Sequence, residues 1–386
     1  MREVSILGVG STRFGRMPER SIESLAIEAA VAALNDAAVG REEIGALYLG
    51  NFIGGPLVGQ EILAGLVGDQ LLLHGIPCTK VEGACASGGI AFRHACLAVA
   101  TGQCEVALAV GVEKMSHAST AQITSALNCA MDNRSDGSAG LTFPGFFGLI
   151  WGAHAARYGT SRAEVLAVVR KNKANGLKNP LAQQGVLISD EEIEASALFA
   201  DPLHLHDCCP VSDGAAAVVI VSRERAHGRT GAVDVLASAQ ASGPPRIAGF
   251  TDPCSFPANV AAAQRAYAQA GLSPRDIDLV ELHDCFSIAE IVDSEDLGLV
   301  PRGEGHKWAA EGRTAVGGEI PINPSGGLLA KGHPVGGTGL GQLYEAVLQL
   351  RGGHANQVRD AAVAMTHNLG GTGVACTVNI LARPDR

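Results

Sequence analysis

The chain is marked first by what it lacks. Its ten cysteines, at positions 78, 85, 96, 104, 129, 208, 209, 254, 285 and 376, contain no CxxC pair. The N-terminus "MREVSILGVG" enters a strand pattern at once, without a secretory signal. A disulfide framework is therefore not expected, most cysteines read as reduced and buried, and the expected compartment is cytoplasmic. No apolar run reaches the roughly 18–20 residues of a membrane span. A net charge of -10 leaves no basic face for nucleic acid. "GVGSTRFG" (8–15) fails the GxGxxG spacing of a dinucleotide site. "HLHDCCP" has no second ligand pair at zinc spacing, so no metal is expected.

Composition is otherwise that of a globular rather than a disordered chain, with 47% hydrophobic and 18% charged residues. The 49 glycines call for many tight turns and close backbone approaches. Strand-like and helix-like segments alternate: Val4–Gly8, then a helix over 22–38, a strand over 44–50, a helix over 87–101 and a buried strand over 106–112. This pattern predicts a buried sheet covered by helices. "DAAVGREEIGALYLGNF" (36–52) and "QAGLSPRDIDLVELHDCF" (269–286) share a layout of helix end, polar turn, Ile and apolar strand. The helix after Cys85 and its strand are echoed by the helix after Gly332 and a strand over 361–366. Two echoes in one order point to a duplicated βα half. Residues 118–207 differ in texture and read as an inserted lobe. Within it Phe143, Phe146, Phe147, Trp151 and Tyr158 place five of the chain's 16 aromatics in 16 positions.

Four segments can carry chemistry. In "GACASGG" Cys85 precedes a helix, whose free N–H groups and dipole stabilise a thiolate, with small neighbours leaving room for a substrate. On this segment alone it is either a nucleophile or a cysteine packed at a tight turn. His333, in "NPSGGLLAKGHPVGGTG", has a side-chain-poor surround that suits a base and an oxyanion partner. In "ELHDCFSIAE" (281–290) His283 and Cys285 alternate along a strand end and share a face. "THNLGGTG" (366–373) reads as a turn whose N–H groups can meet an anion. "RKNKANGLK" (170–178) offers Arg170, Lys171, Lys173 and Lys178 either to the phosphates of a ligand or to solvent along a helix face. Phe143, Phe146, Phe147 and Trp151 either line an acyl pocket or pack the lobe.

"GACASGG", "HDCF", "NPSGGLLAKGHPVGGTG" and "HNLGGTG", in this order, resemble the thiolase superfamily, in its sterol-carrier-protein-2-type and archaeal-type branch. The resemblance spans nearly the whole chain. It implies an α/β fold of two similar βα halves in five α/β/α/β/α layers. The halves are expected at 1–117, completed by 208–228, and at 229–386, with a loop domain over 118–207 covering the ligand. It implies that Cys85 is the acylated nucleophile, that His333 activates it, and that His283 has an oxyanion role where better-known thiolases carry Asn. Where those enzymes have a second catalytic cysteine in "CxGGG", this chain has His367-Asn368-Leu369-Gly370-Gly371. The acid/base role then points to Cys285, with Asn368, Gly370 and Gly371 as oxyanion or turn support and Cys376 as core. The implied activity is CoA-dependent cleavage of a 3-oxoacyl-CoA, with CoA as co-substrate and no bound cofactor. The aromatic lobe suggests a bulky or aromatic acyl group such as benzoylsuccinyl-CoA; acetoacetyl-CoA is the competing substrate. A decarboxylating ketoacyl synthase and a non-catalytic lipid-binding paralogue are the rival functions. The expected partners are a second copy, as a homodimer or dimer of dimers, and a small zinc-ribbon/OB-fold protein.

Overall fold

Apolar residues recurring at period two and at helical spacing build two copies of one unit. The computed structural model describes residues 2–385. The first copy runs β1 (Val4–Ser11), α1 (Ile22–Ala37), β2 (Ala46–Gly50), α2 (Leu63–Gln70), β3 (Cys78–Val81), α3 (Ser87–Ala100) and β4 (Val106–Glu113). Next come α4 (Thr120–Leu127), α5 (Phe143–Tyr158), α6 (Arg162–Lys178), α7 (Asp190–Glu194) and a hairpin of β5 (Leu198–Ala200) and β6 (Leu203–His204). Strand β7 (Gly214–Ser222) and α8 (Arg223–Ala226) complete the first sheet region. The second copy comprises β8 (Val233–Ser242), α9 (Pro257–Ala270), β9 (Leu279–Glu281), α10 (Ser287–Asp296), α11 (Gly305–Ala310), α12 (Gly327–Lys331), α13 (Thr338–Leu350), β10 (Val363–Gly370) and β11 (Ala375–Ala382).

The hydrogen-bonded order is β3-β2-β4-β7-β1-β8-β11-β10-β9. From each outer side inward the pattern repeats. β2 is parallel to β4, which is antiparallel to β7, which is antiparallel to β1. Likewise β9 is parallel to β10, which is antiparallel to β11, which is antiparallel to β8. A parallel bridge from Val280 to Ile322 stands where β3 flanks β2. The halves meet where β1 pairs with β8 over three residues, Val4 to Ile6. Both echoes in the sequence thus fall on equivalent elements.

Alternation along the strands creates the layers. Leu47, Leu49, Leu108, Val110 and Val112 point outward under α1 and α2. Ala46, Ala107 and Ala109 point inward, and with Ala364 and Leu381 of the second half they enclose α3 and α13. On the far face Val363, Met365, Val378 and Ile380 lie under α9 and α10. Five layers result, with α3 and α13 in the central one. Their buried position aims the turns before both helices at one place. Among the described residues no helix is long and apolar enough to cross a membrane.

One boundary differs from the sequence expectation. The strand expected over 361–366 occupies 363–370, so His367, Asn368 and Gly370 belong to the strand and not to a turn. Pairing with β11 carries it on through Gly370, opposite Ala375.

Asp213, just before β7, ties several loops together. Its carboxylate accepts hydrogen bonds from the backbone N–H of Met17 (2.9 Å), Met115 (2.7 Å) and Ser116 (2.8 Å) and from Lys114 Nζ (2.6 Å). Burial alone would raise this carboxyl; the Lys114 and Ser116 hydrogen bonds outweigh it and hold the group below its ordinary value. A carboxyl depressed on folding stabilises above its unfolded pKa of about 4 and loses that contribution as pH falls below it. Asp213→Asn leaves Lys114 buried without its counter-charge. A loss of about 3 kcal/mol or more is expected, read as a lower urea midpoint at neutral pH. The gap from the parent protein should narrow below about pH 4.

Candidate active site

Cys85 sits in a one-turn 3-10 segment that opens α3. The turn is strained: Ala84 has φ +51°, a left-handed value that a Cβ disfavours. Local hydrogen bonds hold it. The Glu82 carboxylate accepts from Ala84 N–H (2.5 Å), and Ser87 Oγ accepts from Gly83 N–H (3.0 Å) while donating to the Ala84 carbonyl (2.6 Å). Two glycines make the surroundings possible. A Cβ on Gly88 would lie 2.8 Å from the Gly336 carbonyl oxygen, and one on Gly370 would lie 2.2 Å from that of Gly83. The His333 turn and the end of β10 therefore touch the Cys85 turn backbone to backbone.

His333 is buried beside a parallel bridge to Val211. Its N–H donates to Ser212 Oγ (2.9 Å), and its Nδ1 meets Thr338 Oγ1 at 2.7 Å. Thr338 Oγ1 donates its own proton to the Pro334 carbonyl (3.1 Å). Nδ1 of His333 must then carry the shared proton, which leaves Nε2 as a free base. His283 is held the other way. Asn368 Nδ2 donates both to the Cys85 carbonyl (2.9 Å) and to His283 Nδ1 (3.2 Å). Gly89 N–H donates to Asn368 Oδ1 (3.3 Å), which fixes the amide's orientation. His283 Nδ1 is an acceptor, so Nε2 carries the proton and donates. The two rings stand edge to face, 5.0 Å apart. Cys85 Sγ and one ring nitrogen of each histidine lie within 4.8 Å of one another. This trio is close enough to crowd a soft cation, but the Asn368 amide keeps His283 Nε2 protonated and so withholds one ligand lone pair.

Burial keeps these groups neutral. It pushes the Cys85 thiol up to about 12, against the opposing Gly371 N–H. It brings His333 down to about 3 and His283 well below the usual imidazole value, the latter helped by His333 and His367. Cys285 is raised well above the ordinary thiol value, first by burial and then by Cys209 and Cys85. The stabilised thiolate expected at the helix start is thus corrected: desolvation outweighs the backbone N–H groups that face the sulfur. Cys85, His283, Cys285 and His333 all line one cavity, together with Cys209 and Gly371.

The family models described as "Thiolase, N-terminal domain" and "Thiolase C-terminal domain-like" match residues 4–224 and 239–383. The chain belongs to the thiolase family. It is 43% identical to the acetyl-CoA acetyltransferase of Methanothermobacter thermautotrophicus, over 99% of this chain and 100% of that protein. Human sterol carrier protein 2 is 35% identical over 100% of this chain and 73% of its own length. Benzoylsuccinyl-CoA thiolase subunit BbsB of Thauera aromatica is 34% identical, over 96% of this chain and 95% of its own. Among solved structures, "Ltp2-ChsH2(DUF35) aldolase" superposes with a TM-score of 0.86 at 28% identity, covering 100% of this chain and 99% of that one.

Other candidate residues of this thiolase sit elsewhere than the sequence suggested. None of the four basic residues lines the cavity, and the run is only partly solvated, with Lys178 exposed and Lys173 buried. Lys171 is paired with Glu290 (2.8 Å), and Lys173 is buried with Nζ on the Leu329 carbonyl (2.6 Å) and Gln184 Oε1 (2.9 Å). Desolvation lowers Lys173 to about 8. Arg170 pairs with Asp190, and Lys178 meets Asn356 Oδ1. Lys171 and Lys173 are thus held by internal partners, whereas the Arg170–Asp190 pair and Lys178 stay accessible to solvent. The aromatic group divides. Phe143 and Phe147 line the cavity, Phe146 packs on Phe250 and Phe256, and Trp151 lies buried under Arg162. Of the "HNLGG" residues, Asn368 orients His283, Gly370 permits the close approach, and Gly371 (φ +59°) lines the cavity.

Sequence reasoning missed Glu113. Buried at the end of β4, its carboxylate accepts from Phe52 N–H (3.0 Å), Gly336 N–H (3.1 Å) and Asn51 Nδ2 (2.6 Å), so it holds the His333 turn from beneath. Burial raises it to about 7 despite those donors. A single acid closing the otherwise apolar "VALAVGVE" was the available signal. Because the resting thiol is neutral, alkylation of Cys85 by iodoacetamide should climb about tenfold per pH unit from about pH 6 to 9, with no plateau. A flat rate across that range, followed by peptide mapping, would mean a preformed thiolate.

Proposed function

We propose that this thiolase cleaves a 3-oxoacyl-CoA with free CoA through an acyl-Cys85 intermediate. The observation that carries this is the pair of opposite histidine tautomers around one sulfur. His333 Nε2 takes the thiol proton as Sγ attacks the 3-oxo carbon, so the thiolate exists only during attack. His283 Nε2–H is on hand to donate to the oxyanion formed there. Collapse breaks the carbon–carbon bond and releases an acetyl-CoA enolate. Cys285, held protonated by its burial, supplies the proton that the enolate carbon takes up. The same group then accepts the thiol proton of incoming CoA, which attacks the acyl-enzyme. CoA is co-substrate in this scheme, and no resident cofactor takes part.

The acetyltransferase and benzoylsuccinyl-CoA thiolase names among the relatives support the reaction class. The aldolase neighbour raises a second chemistry, but retro-aldol cleavage has no use for an acylated cysteine with its own base. We propose further that the working assembly is a homodimer or dimer of dimers, joined by a small zinc-ribbon/OB-fold partner. The paired name of that neighbour supports such a partner. The test is CoA-dependent loss of 3-oxoacyl-CoA, with acetoacetyl-CoA as first substrate. Cys85→Ala should abolish it and Cys285→Ala should lower kcat by about 10²- to 10⁴-fold. Unchanged cleavage by Cys85→Ala would overturn the scheme, and malonyl-CoA decarboxylation without thiolysis would place the chain with ketoacyl synthases.

A further inference from the structure

We infer that the acyl groups held on Cys85 are uncharged and apolar, that they extend beyond acetyl to longer groups, and that Phe143 limits their length; this rests on the acyl-cysteine scheme above. Among the described residues that line the cavity there is no Lys, Arg, Asp or Glu. Its polar members are three cysteines and two histidines. Burial holds the thiols protonated and the imidazoles neutral. Lys171 and Lys173 of α6 are already spent on Glu290, Gln184 and the Leu329 carbonyl, and Lys178, at the exposed end of the helix, meets Asn356 Oδ1. A carboxylate on the substrate would thus enter a desolvated space without a counter-charge or a free cation to recruit.

The walls beyond the sulfur are Met115, Leu127, Phe143 and Phe147, an apolar surface that only a carbon chain or ring would cover. Phe147 is immobile. It stacks on Phe286 with centroids 4.6 Å apart, and Phe146 meets it edge-on at 5.2 Å. Phe143 differs: it lies half-buried in the first turn of α5, packed against that cluster from its margin. It is the wall residue whose truncation enlarges the cavity without dismantling the stack behind Cys285. Benzoylsuccinyl-CoA would leave an uncharged benzoyl group on Cys85, its free carboxylate departing with the succinyl-CoA fragment, so its acyl group falls within this class.

A matched pair of six-carbon substrates tests this, 3-oxohexanoyl-CoA and 3-oxoadipyl-CoA, which differ by one terminal carboxylate. The expected kcat/KM for the uncharged substrate is roughly a hundredfold or more above that for the charged one. Phe143→Ala should move the chain-length optimum upward, and Phe143→Arg should narrow the charge preference by about tenfold or more. Comparable rates for the pair in the parent protein would overturn the charge exclusion. Cleavage of acetoacetyl-CoA alone would overturn the claim on length. Failure on all three substrates, with no acyl group on Cys85, would overturn the thiolase scheme itself and this inference with it.

Discussion

The active site depends on a backbone contact that side chains would forbid. Gly88, in the first turn of α3, meets the Gly336 carbonyl before α13, so the cysteine and the base come from halves separated by more than two hundred residues. That approach is possible because α3 and α13 lie together between the two sheet regions, against strand faces of small residues such as Ala46, Ala107 and Ala109. Glu113 fastens the contact by accepting from Gly336 N–H on one side and the Asn51–Phe52 segment on the other. A methyl group at Gly88 would separate the turns, and with them Sγ from its base.

The same burial that brings the groups together decides how they function. No permanent charge rests on the sulfur or on either imidazole. What the fold supplies instead is direction: one ring is an acceptor and the other a donor, each set by the partner of its Nδ1. Thr338 imposes the first state and Asn368 the second. In the proposed scheme the charges of the reaction are transient, formed in a dry site where fixed donors have their greatest effect. Asn368 also binds the Cys85 carbonyl, so one amide positions both the cysteine turn and the His283 ring.

Much of this was legible in the sequence, for physical reasons that can be named. Cys85 and His333 stood out because glycine surrounds them, and glycine marks where backbones approach. The duplication showed because equivalent strands must bury equivalent faces. What stayed hidden was pairing across long separations. Lys171 and Lys173 read as a solvent or phosphate-binding run, since Glu290 and the Leu329 carbonyl lie far along the chain. The tautomers were invisible because they depend on Thr338 and Asn368 side chains placed only by the tertiary fold. The strand through His367–Gly370 looked like a turn because two glycines follow it, whereas pairing with β11 holds it extended.

The central claim is that Cys85 is acylated while the other two cavity thiols are not. Mixing the protein with acetoacetyl-CoA in the absence of free CoA, quenching in acid and mapping peptides by mass tests it most directly. The account predicts an acetyl group on the peptide bearing Cys85, discharged when CoA is added before the quench. An acyl group found instead on Cys209 or Cys285, or substrate cleavage with Cys85 unmodified throughout, would contradict it.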